Sequence, residues 1–170
     1  SEIIYFLNQQ RSLLALQKAE KMKKQAFADR YPYGIFSCIR TMGHIYKSRG
    51  NFDLSAQYYQ EALDYMLKNM PDQDPSQLYS SLAEYYRNTQ KDYATALDYC
   101  EKALKSAKTE RNIAQAMIEK CLVLFRQGRI DEFNDCYKEA VQMADRCKLS
   151  ASVSLLIAHI SKNILDKQYE

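Results

Sequence analysis

The residues of this chain that could do chemistry are five cysteines, two histidines and a short run of lysines. The cysteines stand at 38, 100, 121, 136 and 147. Their number is odd and no C-x-x-C occurs, so neither a disulfide framework nor a zinc-ligand spacing is written here. Cys100, Cys121 and Cys136 fall where an internal repeat, described below, requires small or apolar core residues. Reduced thiols acting as small hydrophobes are the reading for them, with all five expected reduced and mostly buried. His44 and His159 are far apart and have no second ligand near them in sequence. There is no G-x-x-x-x-G-K-[ST], no G-x-G-x-x-G, no G-x-S-x-G and no H-E-x-x-H. Only 4 glycines are present, too few for a phosphate-cradling loop. Glu61, Asp64, Glu101 and Glu139 fall on polar helix faces, where carboxylates are solvated or pair with a residue one turn away. The expectation is a chain with no catalytic residue, no cofactor and no metal site.

Lys18, Lys21, Lys23 and Lys24 are the one basic run. They could neutralise a few phosphates. No arginine cluster or aromatic ladder accompanies them, and the net charge is only +3. A solvated helix face is the preferred reading, and nucleic acid is not an expected partner. Charge is unevenly spread: residues 1–50 carry 9 Lys+Arg and 3 Asp+Glu, residues 51–100 carry 3 and 8. No run of 18 apolar residues occurs, so no helix of this segment is expected to enter a membrane.

The elements that must position these residues are helices. At 46% hydrophobic and 26% charged, with 4 Gly and 3 Pro, the composition is globular and poor in helix breakers. Residues 2–28 show apolar residues near a 3.6 period: Ile3, Ile4, Phe6, Leu7, Leu13, Leu14, Leu16, Ala19, Met22 and Ala26. Asn8-Gln9-Gln10 is either a turn or a polar face. Tyr31-Pro32-Tyr33-Gly34 stops that helix. Further helices are expected at 35–49, 53–70, 76–89, 93–108, 111–127, 131–147 and 149–166, with Asp53 opening the third. The proline- and aspartate-rich segment from Met70 to Ser76 reads as an exposed loop. Short links between neighbours require antiparallel packing.

One pattern recurs at about forty residues. It reads Gly43…Tyr46, then Gly50-Asn51-Phe52, Ser55, Tyr59 and Ala62. It returns as Ala83…Tyr86, Asp92-Tyr93, Ala96, Cys100 and Ala103, and again as Cys121…Leu124, Gly128-Arg129-Ile130, Phe133, Tyr137 and Ala140. The physical content is close packing: small residues let paired helices approach, and bulky ones fill the next turn. A period of this length means one helix pair stacked on itself.

These residues resemble the tetratricopeptide repeat family over roughly 37–147. The resemblance implies an all-α fold, a right-handed α-α superhelix or solenoid of antiparallel helix pairs. It implies a single domain over 1–170, with repeats near 1–34, 35–70, 76–108 and 111–147 and the start of another at 149–170. The late alanines are 41 and 37 residues apart, against the family's 34. The second copy has one extra residue in the turn Asn88-Thr89-Gln90-Lys91, and Lys120 replaces a bulky apolar residue in the third. The longer period resembles variants in bacterial signalling proteins such as two-component sensor kinases.

The family implies a protein or peptide partner in a concave groove lined by the first helix of each pair. The candidate groove residues are Arg40, His44 and Lys47, then Ser81, Glu84 and Asn88, then Glu119, Leu122 and Arg126. A carboxylate clamp of the chaperone-tail type is not expected, since Ser81, Gln115 and Glu119 stand where Asn, Lys and Arg are wanted. The function implied is a non-catalytic interaction module of a bacterial two-component sensor. The alternatives are a stand-alone adaptor or assembly protein and an accessory domain of a DNA-binding regulator. Unpaired cysteines favour the cytoplasm; a periplasmic site follows if the segment is the outer part of a membrane-bound sensor. The chain begins at Ser1 rather than Met, and 164–170 reads as a turn opening another helix. The expectation is a segment of a longer repeat array with an output module beyond it.

Overall fold

The computed structural model describes residues 2–148, with side chains from Gln10 onward. The helix expected at 149–166, His159 within it and the turn at 164–170 lie outside the described residues. The elements are α1 (Glu2–Ala28), α2 (Pro32–Ser48), α3 (Phe52–Asn69), α4 (Ser76–Tyr85), a π-helical turn (Tyr86–Gln90), α5 (Tyr93–Ser106), α6 (Glu110–Gln127) and α7 (Ile130–Arg146). Among the described residues there is no strand. The fold is all-α and of the tetratricopeptide-like solenoid class.

Two starts differ from the sequence reading. Pro32 opens α2 instead of only ending α1. Its fixed φ and missing N–H suit the first helical turn, and Tyr31 before it is extended. At α3 the cap is Asn51, whose side chain accepts from the Leu54 N–H, while Asp53 sits in the first turn. α1 runs unbroken through Asn8-Gln9-Gln10.

The chain forms two compact units, one ending at Gln73 and one beginning at Asp74. In the first, α1 packs on α2 and α2 on α3. Its core holds Ile35, Phe36, Ile39, Met42, Tyr59, Ala62, Leu63 and Met66. α1 contributes Ala19 and Ala26, whereas Leu13, Leu14 and Met22 are more than half exposed. Of the apolar residues that mark the period of α1, Ala19 and Ala26 form its buried face and Leu13, Leu14 and Met22 do not. Small residues decide that face because they permit close approach. At the contact, a Cβ on Gly34 would lie 3.1 Å from the Ala26 Cβ.

In the second unit, α5 packs on α4 and α6, α4 meets α6, and α7 packs on α6. Ala83, Ala96, Cys100 and Val123 form one cluster. Ala114, Ile118, Cys121, Leu122, Leu124, Phe133, Ala140 and Ala144 form the other.

The repeat register is visible in the burial pattern. Ala62, Ala103 and Ala140 are fully buried, as are Ala83 and Cys121; Ser55, Ala96 and Phe133 are buried too. Tyr46 stacks on Tyr58 with ring centroids 5.3 Å apart, and Tyr86 stacks likewise on Tyr99 at 5.4 Å. Leu124 and Cys136 occupy the same two positions in the third copy.

The extra residue of the second copy is absorbed by the π turn. In the first and third copies the closing bonds run from Asn51 N–H to the Tyr46 carbonyl and from Arg129 N–H to the Leu124 carbonyl. In the second, the bond runs from Asp92 N–H to the Tyr86 carbonyl, one residue wider. Widening one turn from α to π takes up one residue without shifting the helices on either side. Gly50 and Gly128 take a left-handed φ of 75° and 74°; Lys91 takes the same role at 57°.

The loop before α4 is exposed at Pro71, Asp72 and Gln73, as the sequence suggests, but its last three residues are not. Pro75 and Ser76 are buried and Asp74 is half-buried. The Asp74 carboxylate accepts from the Ser76 N–H at 2.9 Å, the Lys108 N–H at 2.8 Å and Asn112 Nδ2 at 2.9 Å. It thus ties the start of α4 to the α5–α6 link and to α6. Partial burial works against its charge, but the hydrogen bonds from Ser76, Lys108 and Asn112 outweigh it and hold the pKa below the usual value. The stabilisation is present above the unfolded pKa, near ~3.9, and is lost as pH falls through the lower folded value. Asp74→Ala should cost about 1–3 kcal/mol in chemical denaturation at pH 7, and less below about pH 3. An unchanged denaturation midpoint at pH 7 would contradict this role.

Candidate functional site

Arg40, His44 and Lys47 are spaced so that α2 carries all three on one face. The Arg40 guanidinium lies over the Phe36 ring, 5.4 Å from its centre. Its Nε is buried without a hydrogen-bond partner. His44 Nδ1 shares a hydrogen bond of 2.9 Å with the Tyr59 hydroxyl, and the two rings meet edge to face. Partial burial lowers the His44 pKa, and the nearby charges of Arg40 and Lys47 lower it further. At neutral pH the ring is uncharged, so this face carries two cations and one neutral imidazole.

In the second unit, α4 and α6 border a hollow of about 310 Å³. Gln77, Ser81, Glu84, Arg111, Asn112 and Glu119 are among its lining residues. It is polar and carries both signs of charge. Of the candidate groove residues, Ser81, Glu84 and Glu119 all border this hollow. Asn88 is exposed and accepts from Arg87 Nη1 at 2.7 Å. Arg126 is exposed in the last turn of α6, where a cation complements the helix dipole.

Two candidates have other work. Leu122 is 9% exposed and packs within the α6–α7 cluster. Its position is that of a core residue, so its contribution is packing. Glu119 is buried against Arg87: Arg87 Nε donates to one carboxylate oxygen at 2.7 Å and Nη2 to the other at 3.2 Å. Arg87 itself is buried. This fork-to-fork pair joins the π turn to α6 and neutralises Glu119 within the hollow. Sequence reasoning missed Arg87, because repeat position alone does not separate a buried arginine from a solvated one. The available signal was an unmatched acid, Glu119, on α6, the first helix of the pair that follows Arg87.

The basic run on α1 is partly engaged. Lys23 lies 3.5 Å from Glu61, while Lys18, Lys21 and Lys24 are exposed. Lys120, at a position where an apolar residue was expected, is half-buried and donates to Glu101 at 2.5 Å. Burial alone would lower its pKa, but Glu101 more than offsets this and the pKa is raised.

Cys38, Cys100 and Cys121 are buried, and Cys136 and Cys147 half-buried. Burial raises the Cys100 thiol, with the Glu119 charge adding to the effect. Among the described residues no cluster of three or more His, Cys, Asp or Glu could hold a metal ion. No helix among them is long and apolar enough to cross a membrane.

Residues 35–109 match the family model described as tetratricopeptide repeat. The third copy, beyond that span, repeats the burial of Cys121 and Ala140. No curated protein matches the chain. The family is one of protein-interaction modules. Small residues at 43, 83, 62 and 103 meet their partners as its pattern requires, and over residues 35–109 this chain belongs to the tetratricopeptide repeat family.

Proposed function

We propose that the chain is a non-catalytic module that binds a peptide or extended protein segment on the first helices of its repeats. The observation that carries this reading is the polar hollow between α4 and α6, with Glu84 and Arg111 at its lining. Donors and acceptors of both signs suit an extended peptide backbone with charged side chains better than an apolar small molecule. The α2 face, with His44 exposed between the half-buried cations Arg40 and Lys47, adds a second surface, cationic rather than mixed in sign.

The test uses a displayed library of random peptides selected on the folded protein, with the selected peptide then measured by fluorescence anisotropy. Arg40→Ala with His44→Ala, or Glu84→Ala with Arg111→Ala, should weaken binding roughly tenfold or more, about 1.4 kcal/mol. Lys21→Ala with Lys24→Ala should leave it unchanged. Peptides that bind all three double variants equally, or that lose binding only with the α1 lysines, would sink the groove reading.

The finer reading is the sensory or scaffolding region of a bacterial two-component protein. What supports it is the repeat period, 41 and 37 residues between late alanines instead of 34. Each repeat touches only its neighbours, so a bound ligand can bias curvature along a stack. The reading frame beyond Glu170 tests this: more helical repeats and a histidine kinase or DNA-binding output module are expected. A stop codon within one helix length of Glu170 would leave the plain adaptor.

A further inference from the structure

Cys121 on α6 and Cys136 on α7 face each other with their sulfurs 3.1 Å apart. The Cys121 thiol donates to the Cys136 sulfur, and the Cys136 thiol is directed at the Met117 carbonyl at 3.6 Å. The two differ in access: Cys121 is fully buried, Cys136 half-buried. Lys120, next to Cys121 in sequence, places an ammonium near both sulfurs. The pair is peculiar to the third copy. At the Cys121 position the other copies have Gly43 and Ala83, and at the Cys136 position they have Tyr58 and Tyr99, each stacked on a tyrosine.

We infer that Cys121 and Cys136 form an oxidisable dithiol, a modification site at which a hydroperoxide closes a disulfide that staples α6 to α7. A disulfide has an S–S length of about 2.05 Å, so the sulfurs need to approach by only about 1 Å. The order of events follows from access and hydrogen bonding. Cys136 is the thiol solvent reaches. As a thiolate it is stabilised by the Cys121 S–H and by the Lys120 charge, and its pKa is lowered accordingly, with the Cys121 hydrogen bond as the main cause. Cys121 is raised by donating that bond and by burial, so it stays protonated.

The Cys136 thiol gives its proton to water. Its sulfur attacks the hydroperoxide, the O–O bond breaks, an alcohol or water leaves, and Cys136 becomes a sulfenic acid. The Cys121 sulfur then attacks the Cys136 sulfur. The S–S bond forms, the S–O bond breaks, and the Cys121 proton leaves with hydroxide as water. Two thiols and one hydroperoxide become one disulfide, one alcohol or water, and one water. The peroxide takes the two electrons.

The test is on the reduced full chain, exposed to hydrogen peroxide, quenched with an alkylating agent and digested with trypsin without reduction. Cleavage after Lys120, Arg126, Arg129 and Lys138 puts the two cysteines on separate peptides, 121–126 and 130–138. The expected product is these two peptides linked, at two hydrogens less than their sum, with both sites lost to alkylation and recovered by dithiothreitol. Cys136→Ser, checked for helix content by circular dichroism, should lose the link and leave Cys121 unoxidised. Three results would overturn the inference: oxygen added to Cys136 with no link, a bridge that forms first at Cys38, Cys100 or Cys147, or Cys121 oxidised equally in the Cys136→Ser protein.

Discussion

Alanine in place of Arg87 is expected to cost about 3–5 kcal/mol of stability, because it leaves the Glu119 carboxylate buried without its partner. The guanidinium makes two bonds to Glu119 and one to Asn88, so no single water replaces it. The second half of the expectation separates breaking the pair from removing it. Arg87→Met combined with Glu119→Leu should fall within about 1–2 kcal/mol of the parent or exceed it, since well-packed apolar residues avoid the desolvation of both charges. Urea unfolding of both variants measures this. If the single substitution costs less than about 1 kcal/mol, the pair is not buried in solution as described.

Gly43→Leu is the second large effect. A Cβ at Gly43 would lie 2.7 and 2.8 Å from two Tyr59 ring carbons, closer than a real Cβ contact allows. Tyr59 is 2% exposed and its hydroxyl is bonded to His44, so the ring cannot move away freely. Leucine should cost on the order of 1–3 kcal/mol or more through overpacking, and alanine a smaller part of it. Ala83→Leu should act likewise, since Ala83 is fully buried. Thermal melts followed by circular dichroism give the cost. Melting temperatures unchanged for both leucine variants would mean that the repeat register is misdrawn.

The repeat positions were legible because they follow from sterics that act locally. Small residues recur where helices touch, and turn residues recur where the chain reverses. Gly43, Ala83 and Cys121 could therefore be placed from the recurring pattern and the family resemblance it carries. What spacing could not give was the outcome of competing interactions. Pro32 can end one helix or open the next, and only the packing of α2 on α1 chooses. The extra residue after Asn88 was visible, but its accommodation as a π turn depends on fixed helices on both sides. Asp74 looked like a loop acid because its three donors lie at Ser76, Lys108 and Asn112, two of them more than thirty residues away.

The candidate site was legible only as a set of faces. Helical spacing put Arg40, His44 and Lys47 together, and Ser81 and Glu84 together. It did not show that Leu122 turns into the core or that Arg87 reaches Glu119, because burial of a first-helix residue depends on the rotation of its neighbour. The two thiols at 121 and 136 were each read correctly as packing residues of the third repeat. Their meeting is a property of the α6–α7 pair, and neither spacing alone contains it.

The measurement closest to the central claim is a residue-resolved binding map. Nitrogen-15-labelled protein titrated with a library-selected peptide should show amide shifts on α2 around Arg40, His44 and Lys47, or on α4 and α6 around Ser81, Glu84 and Arg111. The second helices α3, α5 and α7 should stay unperturbed at their outer faces. Shifts confined to those outer faces, or to Lys18, Lys21 and Lys24 of α1, would contradict the reading of this protein as a module that binds through its first helices.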